Sequence, residues 1–354
     1  MATQSLAEQV KSEIRSLQSS VGDLHSSVRM TDIRDRIEDL SSSVNGMDRR
    51  IKSLREGGYA FEKELEKMAA DFEKEWRGIA PNLELQIDQE ASNLQRSLRP
   101  LETQITQLTG DRSAPAALRP RLSRLKSQLE SLESQVEAAE RSISGRYDQF
   151  NSDVQKVKTH LTKLEWMLTE LSEASFELLA TESGIMAVKA VWAKNGKQTK
   201  TDPEGVLYLT DQRILFEQKE KVVTKKVLFV ATEKKLVQEL LWEAPIVLIE
   251  EVKPHDEGFL NKDDYIDLHF TSGGPFDVVH LHIWQPGEEW KALIHRAKTK
   301  EFDKTRAIAI DKAAAKKVKD APTKCPSCGG AINQVVLRGM ENLTCEYCGD
   351  VIRL

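Results

Sequence analysis

The stretch LRPRLSRLKSQLESLESQV (118–136) places leucine or valine at 118, 122, 125, 129, 132 and 136. The alternating steps of four and three put these side chains on one stripe of a helix. That is the 3.5-residue repeat of helices packed along a seam. After one weak position the stripe continues through Ile143, Tyr147, Phe150, Val154, Val157, Leu161, Leu164, Leu168 and Leu171.

The same repeat runs back to the N-terminus. Leu6, Val10, Ile14, Leu17, Val21, Leu24 and Val28 are followed, after one step of five, by Ile33, Ile37, Leu40, Val44, Met47, Ile51 and Leu54. Gly57-Gly58 breaks the helix, since tandem glycines turn at no steric cost. A second segment carries Leu83, Ile87, Leu94, Leu98, Leu101, Ile105 and Leu108. Pro81 and Pro100 each remove a backbone donor there and predict a kink or break. GDRSAPAALRP (110–120) reads as a turn, with Pro115 as a first helical residue. Residues 1–181 are therefore expected to form a coiled-coil or helical hairpin region of three helices, about 2–56, 59–109 and 115–181, leading without a flexible linker into a strand-rich domain. At 1.5 Å per residue each spans roughly 75–95 Å, the general shape of a spectrin-like rod. Packing within the chain is expected, with self-association into a homo-oligomer besides, and an intermolecular coiled coil is the alternative. Trp76 and Trp166 read as seam residues.

The totals narrow the class. The 354 residues allow two or three units, 30% of them charged and only 6% aromatic. A net charge of −5 makes nucleic acid an unexpected partner for the whole molecule. No run of about 18 apolar residues exists and no secretory signal is visible. All four cysteines fall in paired C-x-x-C spacing, which fits metal in a reducing compartment, so the cytoplasm is expected.

Past Leu179 the period shortens. MAVKAVWAK (186–194), GVLYLT (205–210), RILFEQ (213–218), KVLFVAT (226–232), APIVLIEEVK (244–253), YIDLHF (265–270) and DVVHLHIW (277–284) read as strands. Asn195-Gly196, Asp202-Pro203, Gly258 and Gly273-Gly274 mark turns. PGEEWKALIHRAK (286–298) closes the run as a helix with Trp290, Leu293 and Ile294 on one face. About seven strands and one helix predict a small curved sheet or partly open barrel plugged at one end, over residues 183–299. Residues 219–243 are longer than a minimal domain needs and suggest an extra hairpin or strand pair.

Gly205-Val-Leu-Tyr-Leu-Thr-Asp-Gln-Arg-Ile-Leu-Phe216 resembles the second and third strands of GRAM and related bacterial pleckstrin-homology-like domains, and Ile249-Glu-Glu-Val252 and Trp290 follow in that family's order. The resemblance covers about a third of the chain. It implies binding of a phosphoinositide, another lipid or a peptide, although a fold alone does not establish this. In pleckstrin-homology folds the loop between the first two strands often carries a basic anion site. Here that loop is KNGKQTKTDPEG, with Lys194, Lys197 and Lys200 as candidate ligand-binding residues. A solvated turn is the plainer reading. Lys219, Lys221, Lys225 and Lys226 form a second basic cluster, read as exposed hairpin, and Arg213 reads as a turn brace. His280 and His282 share a strand face without a nameable third metal ligand. Asp263-Asp264 reads as turn chemistry.

Residues 300–322 read as a basic helical linker carrying Lys312, Lys316, Lys317 and Lys319. Residues 323–354 then hold Cys325-Pro-Ser-Cys328-Gly-Gly and Cys345-Glu-Tyr-Cys348-Gly. Two glycine-followed knuckles predict four thiolates around one structural Zn²⁺, with metal binding supplying the folding energy. This tail resembles a zinc ribbon with rubredoxin-like knuckles. INQVVLRG and VIRL are expected as its strands. Few basic or aromatic side chains lie outside Arg338, Tyr347 and Arg353, which favours protein contact.

No phosphate-binding loop, nucleophile elbow, zinc-protease helix or dinucleotide fingerprint occurs. The expected function is a non-enzymatic adaptor with a coiled-coil arm, a pleckstrin-homology-like domain reading a lipid headgroup or anionic membrane surface or a peptide, and a zinc ribbon for protein contact. Nucleic-acid binding by the basic linker and ribbon is one alternative, and an unrecognised enzyme is another.

Overall fold

The computed structural model describes residues 5–227, 230–257 and 263–354, with backbone alone over 222–227 and 230–234. The chain forms two compact units, Met1–Asp48 with Lys67–Lys158, and Arg49–Glu66 with Thr159–Leu354.

Five long helices occupy the N-terminal half: α1 (Leu6–Ser27), α2 (Thr31–Glu56), α3 (Leu65–Gly110), α4 (Pro115–Ser144) and α5 (Asp148–Glu173). Three were expected. The two additional breaks fall where the stripe falters. One lies at Met30, in the step of five, where the backbone turns left-handed (φ 56°). The other lies at Gly145–Tyr147, just past the weak position. Neither Pro81 nor Pro100 breaks the helix, since α3 runs through both. Each proline sits on the exposed face, and the carbonyls that lose an amide donor belong to the exposed Arg77 and Arg96, on the solvent side of the helix.

In the first unit the stripe is an intrachain core. Val10, Ile14, Leu17 and Leu24 of α1 pack with Leu94, Leu98, Leu101 and Ile105 of α3 and with Leu118 to Val136 of α4. Trp76 stacks on Phe150 at 5.4 Å and is a seam residue.

The second unit is built on a seven-stranded antiparallel sheet ordered β4-β3-β2-β1-β7-β6-β5. Its strands are β1 (Gly184–Trp192), β2 (Glu204–Thr210), β3 (Arg213–Val227), β4 (Val230–Pro245), β5 (Ile249–Glu257), β6 (Asp263–Phe270) and β7 (Val278–Ile283). Helix α6 (Gly287–Lys298) follows, with Trp290 fully buried and Asp264 Oδ1 accepting from the Gly287 amide at its start (3.0 Å). Two runs of four and three consecutive antiparallel strands, joined through β1–β7 and closed by a C-terminal helix, make a pleckstrin-homology-like fold. The expected extra hairpin is instead one long β3–β4 hairpin that prolongs two strands of the sheet. Residues 226–232, read as one strand, are divided between β3 and β4, with Val227 opposite Val230, and 228–229 lie outside the described residues, as does Gly258. The run 244–253 is split by a 3₁₀ turn at Ile246–Leu248.

The close approach of β2 to β3 explains the motif glycine. A Cβ on Gly205 would lie 1.8 Å from the Glu217 carbonyl oxygen. Only glycine lets the two backbones pair there.

The linker is not one helical spacer. Short α7 (Glu301–Lys304) and α8 (Lys312–Asp320) flank a run without regular secondary structure that bends at residues 307–308. Phe302 is buried and edge-on to Phe61, and the amides of Ala307 and Ile308 both donate to the Ala60 carbonyl. These tertiary contacts outweigh the helix propensity of alanine and lysine. Among the described residues no helix is long and apolar enough to cross a membrane.

Candidate metal centre and basic loop

The cysteine tail folds as two matching knuckles. In each, the first cysteine's carbonyl accepts from the glycine four residues on, at 2.9 Å for both Gly329 and Gly349. Those glycines are left-handed, with φ of 76° and 74°, which side chains other than glycine rarely tolerate. Cys325, Cys328, Cys345 and Cys348 present sulfurs within 4.8 Å of one another. Cys325 Sγ lies 3.7 Å from Cys348 Sγ, and Cys328 Sγ 3.6 Å from Cys345 Sγ. A tetrahedral four-thiolate site with metal–sulfur bonds of about 2.3 Å has edges of about 3.8 Å, so the donor set fits one ion. The amides of Cys348 and then Tyr347 draw the Cys345 thiol down to about 7, favouring the ligating thiolate.

Strands β8 (Asn342–Thr344) and β9 (Val351–Arg353) pair behind the knuckles, so VIRL is a strand as expected. INQVVLRG is not a ribbon strand. Its Leu337 instead bridges Leu179, in the connector between α5 and β1. Ala180 N donates to Val336 O (2.9 Å), and Arg338 N to Leu178 O (2.8 Å). Arg338 also donates to the Glu182 carbonyl while remaining exposed. The tail is thus docked on the unit that carries the sheet.

That connector holds a buried ionic network that sequence reasoning met only in part. Arg213 spans Glu182 (Nε–Oε1 3.0 Å, Nη2–Oε2 2.6 Å), Glu243 and the Glu177 carbonyl. Burial works against the guanidinium charge, and the two carboxylates more than offset it, raising the Arg213 pKa. Glu217, fully buried, accepts from Tyr208 Oη (2.9 Å), Gln238 Nε2 (3.1 Å) and the Ser175 amide (2.6 Å). Glu182 and Glu217 were invisible in the sequence because nothing local marks a buried carboxylate. Asp211, paired with Arg306, is pushed up to about 6 by burial.

The two basic clusters part company. Lys194, Lys197 and Lys200 are all exposed on the β1–β2 loop. Lys194 Nζ sits 4.8 Å over the Trp192 ring, while Lys197 and Lys200 have no partner among the described residues. The loop is shaped by Thr199 N donating to Asp202 Oδ2 (2.6 Å). Lys219 is instead tied to Glu170 and Glu173 of α5, at 2.8 Å each. Lys221 is exposed, and the side chains of Lys225 and Lys226 lie outside the described residues.

His280 and His282 share the outer sheet face and go to different partners. His280 Nδ1 meets Asp267 (2.7 Å), and His282 Nδ1 meets Gln198 Oε1 (2.8 Å) between the rings of Tyr265 and Trp284. They do not converge on a metal position.

No family model and no curated protein matches the sequence. Among solved structures, the chain is similar to the C-terminal domain of an unknown protein from Leishmania infantum (12% identity, 33% of this chain and 84% of that one, TM-score 0.22). It is similar to a DUF1696-family protein with a pleckstrin-homology domain from Shewanella loihica (13% identity, 39% and 91%, TM-score 0.19). It is also similar to the DH/PH fragment of PDZRHOGEF in its complex with human RhoA (12% identity, 83% and 93%, TM-score 0.21). At these scores the likenesses carry no argument, and the pleckstrin-homology-like description rests on strand order and the closing helix.

Proposed function

We propose that this chain is a non-enzymatic cytoplasmic adaptor whose pleckstrin-homology-like module meets a phosphorylated lipid headgroup through Lys194, Lys197 and Lys200. The observation that carries the reading is the contrast between the two basic clusters. The loop lysines are exposed without carboxylate partners among the described residues, whereas Lys219 is neutralised by α5. In the cysteine tail the metal is zinc in a structural role. Borderline-soft Zn²⁺ suits four thiolates, and a complete tetrahedron keeps no position for a substrate. Tyr347 and Val351, 70% and 62% exposed, support the ribbon as a protein-contact surface.

Each lysine near an anionic surface contributes about 1 kcal/mol, so removing three weakens binding roughly 100-fold. The test is co-sedimentation with phosphatidylcholine vesicles containing phosphatidylinositol phosphates, comparing the wild type with the Lys194→Glu/Lys197→Glu/Lys200→Glu variant. Loss of binding is expected. Undiminished binding removes the loop from the account.

A further inference from the structure

Three backbone runs remote in sequence, 180–183, 308–311 and 336–340, line a groove of about 440 Å³. Its lining residues are consecutive within each run. The 336–340 run is held by its pairing with Leu178 and Ala180. The 308–311 run is anchored at one end by the Ala60 carbonyl. At the other end Asp311 Oδ1 accepts the Ala313 amide at 2.9 Å.

Between these anchors Ala309 and Ile310 make no hydrogen bond among the described residues. Ile308 and Ile310 stand 38% and 41% exposed. Main chain left unpaired at Ala309 and Ile310, beside exposed apolar side chains at 308 and 310, is a template for the backbone of an added segment.

Charge selects what is added. Lys317 Nζ donates to the Met340 carbonyl (3.3 Å) and Arg338 to the Glu182 carbonyl, so neither cation meets a carboxylate among the described residues. The acids beside them are committed, Glu182 to Arg213 and Asp311 to the positive end of α8. We infer that the groove binds an extended apolar peptide segment of a partner protein, with acidic residues beside its apolar run, pairing its main chain with that of Ala309 and Ile310. The inference does not depend on the β1–β2 loop.

The test uses the full zinc-loaded chain and fluorescein-labelled Ser-Val-Thr-Val-Asp-Asp, read by anisotropy. Two peptides serve as references, Ser-Val-Thr-Val-Lys-Lys, reversing the charge, and Ser-Val-Pro-Val-Asp-Asp, keeping the charge but deleting a main-chain donor. Saturable binding of the first, at least about tenfold weaker binding of both references, and a similar loss in Lys317→Glu are expected. Hydrogen exchange should show new protection at the Ala309 and Ile310 amides. Ile310→Lys alters only an exposed side chain and should weaken binding without changing the circular dichroism. No binding up to about 5 mM, equal binding of all three peptides, or protection only at the β4 or β5 edge would overturn the inference.

Discussion

Arg213→Ala removes the cation from the centre of the connector network. The Arg213 side chain is 9% exposed and Glu182 is fully buried, so the substitution strands a carboxylate away from water. Thr210 Oγ1 (2.6 Å) and the Leu179 amide (2.7 Å) still donate to Glu182, but neither carries charge. Breaking a buried pair by removing one partner costs about 3–5 kcal/mol, or a fall of roughly 10 °C in the melting temperature. Neutralising the abandoned carboxylate should recover part of that loss, so Arg213→Ala/Glu182→Gln should be more stable than the two single losses summed. Urea denaturation followed by tryptophan fluorescence gives all four corners of the cycle. A single loss under about 1 kcal/mol, or strict additivity, would refute the network as a stabilising element.

Other substitutions probe the remaining elements. Cys345→Ser should abolish stoichiometric zinc by metal analysis and speed hydrogen exchange at the Ala180 and Arg338 amides, since both bonds depend on a folded ribbon. Gly205→Ala should cost at least about 2 kcal/mol in denaturation, because its methyl meets the Glu217 carbonyl with no side chain to yield. His282 is held below its ordinary range by burial, which outweighs the opposing pull of Asp263 and Asp264. Folding therefore disfavours the charged ring, and stability should decline as pH falls below about 6.5. An NMR titration should place His282 below that value, and Trp284→Ala, by uncovering the ring, should raise it.

What the sequence exposed, and what it hid, depends on where each signal lives. The seam residues of α1 to α5 were readable because a buried stripe must recur at helical spacing, and even the missed breaks at Met30 and Gly145 coincide with faults in that stripe. The knuckles were readable because thiolate spacing and left-handed glycines are local requirements. A hairpin over 219–243 was readable from its length, but its continuity with the sheet strands was not, since Lys219, Glu220 and Lys221 carry none of the apolar alternation that marks a half-buried strand. The end of α5 at Glu173 was hidden because Phe176, Leu178 and Leu179 prolong the apolar run. It is Glu217 and Glu182, accepting from the Ser175 and Leu179 amides, that fix the connector. The docking of the ribbon and of residues 305–308 likewise depends on partners remote in sequence. For the same reason the loop lysines could be nominated from the chain alone, but only tertiary contacts separate them from Lys219.

The claim that this chain meets its ligand through the β1–β2 loop is tested most directly by hydrogen exchange on the full protein, with and without vesicles containing phosphatidylinositol phosphates. New protection across residues 194–202, lost in the triple lysine-to-glutamate variant, is the predicted result. Vesicle binding that leaves those amides unchanged would contradict it.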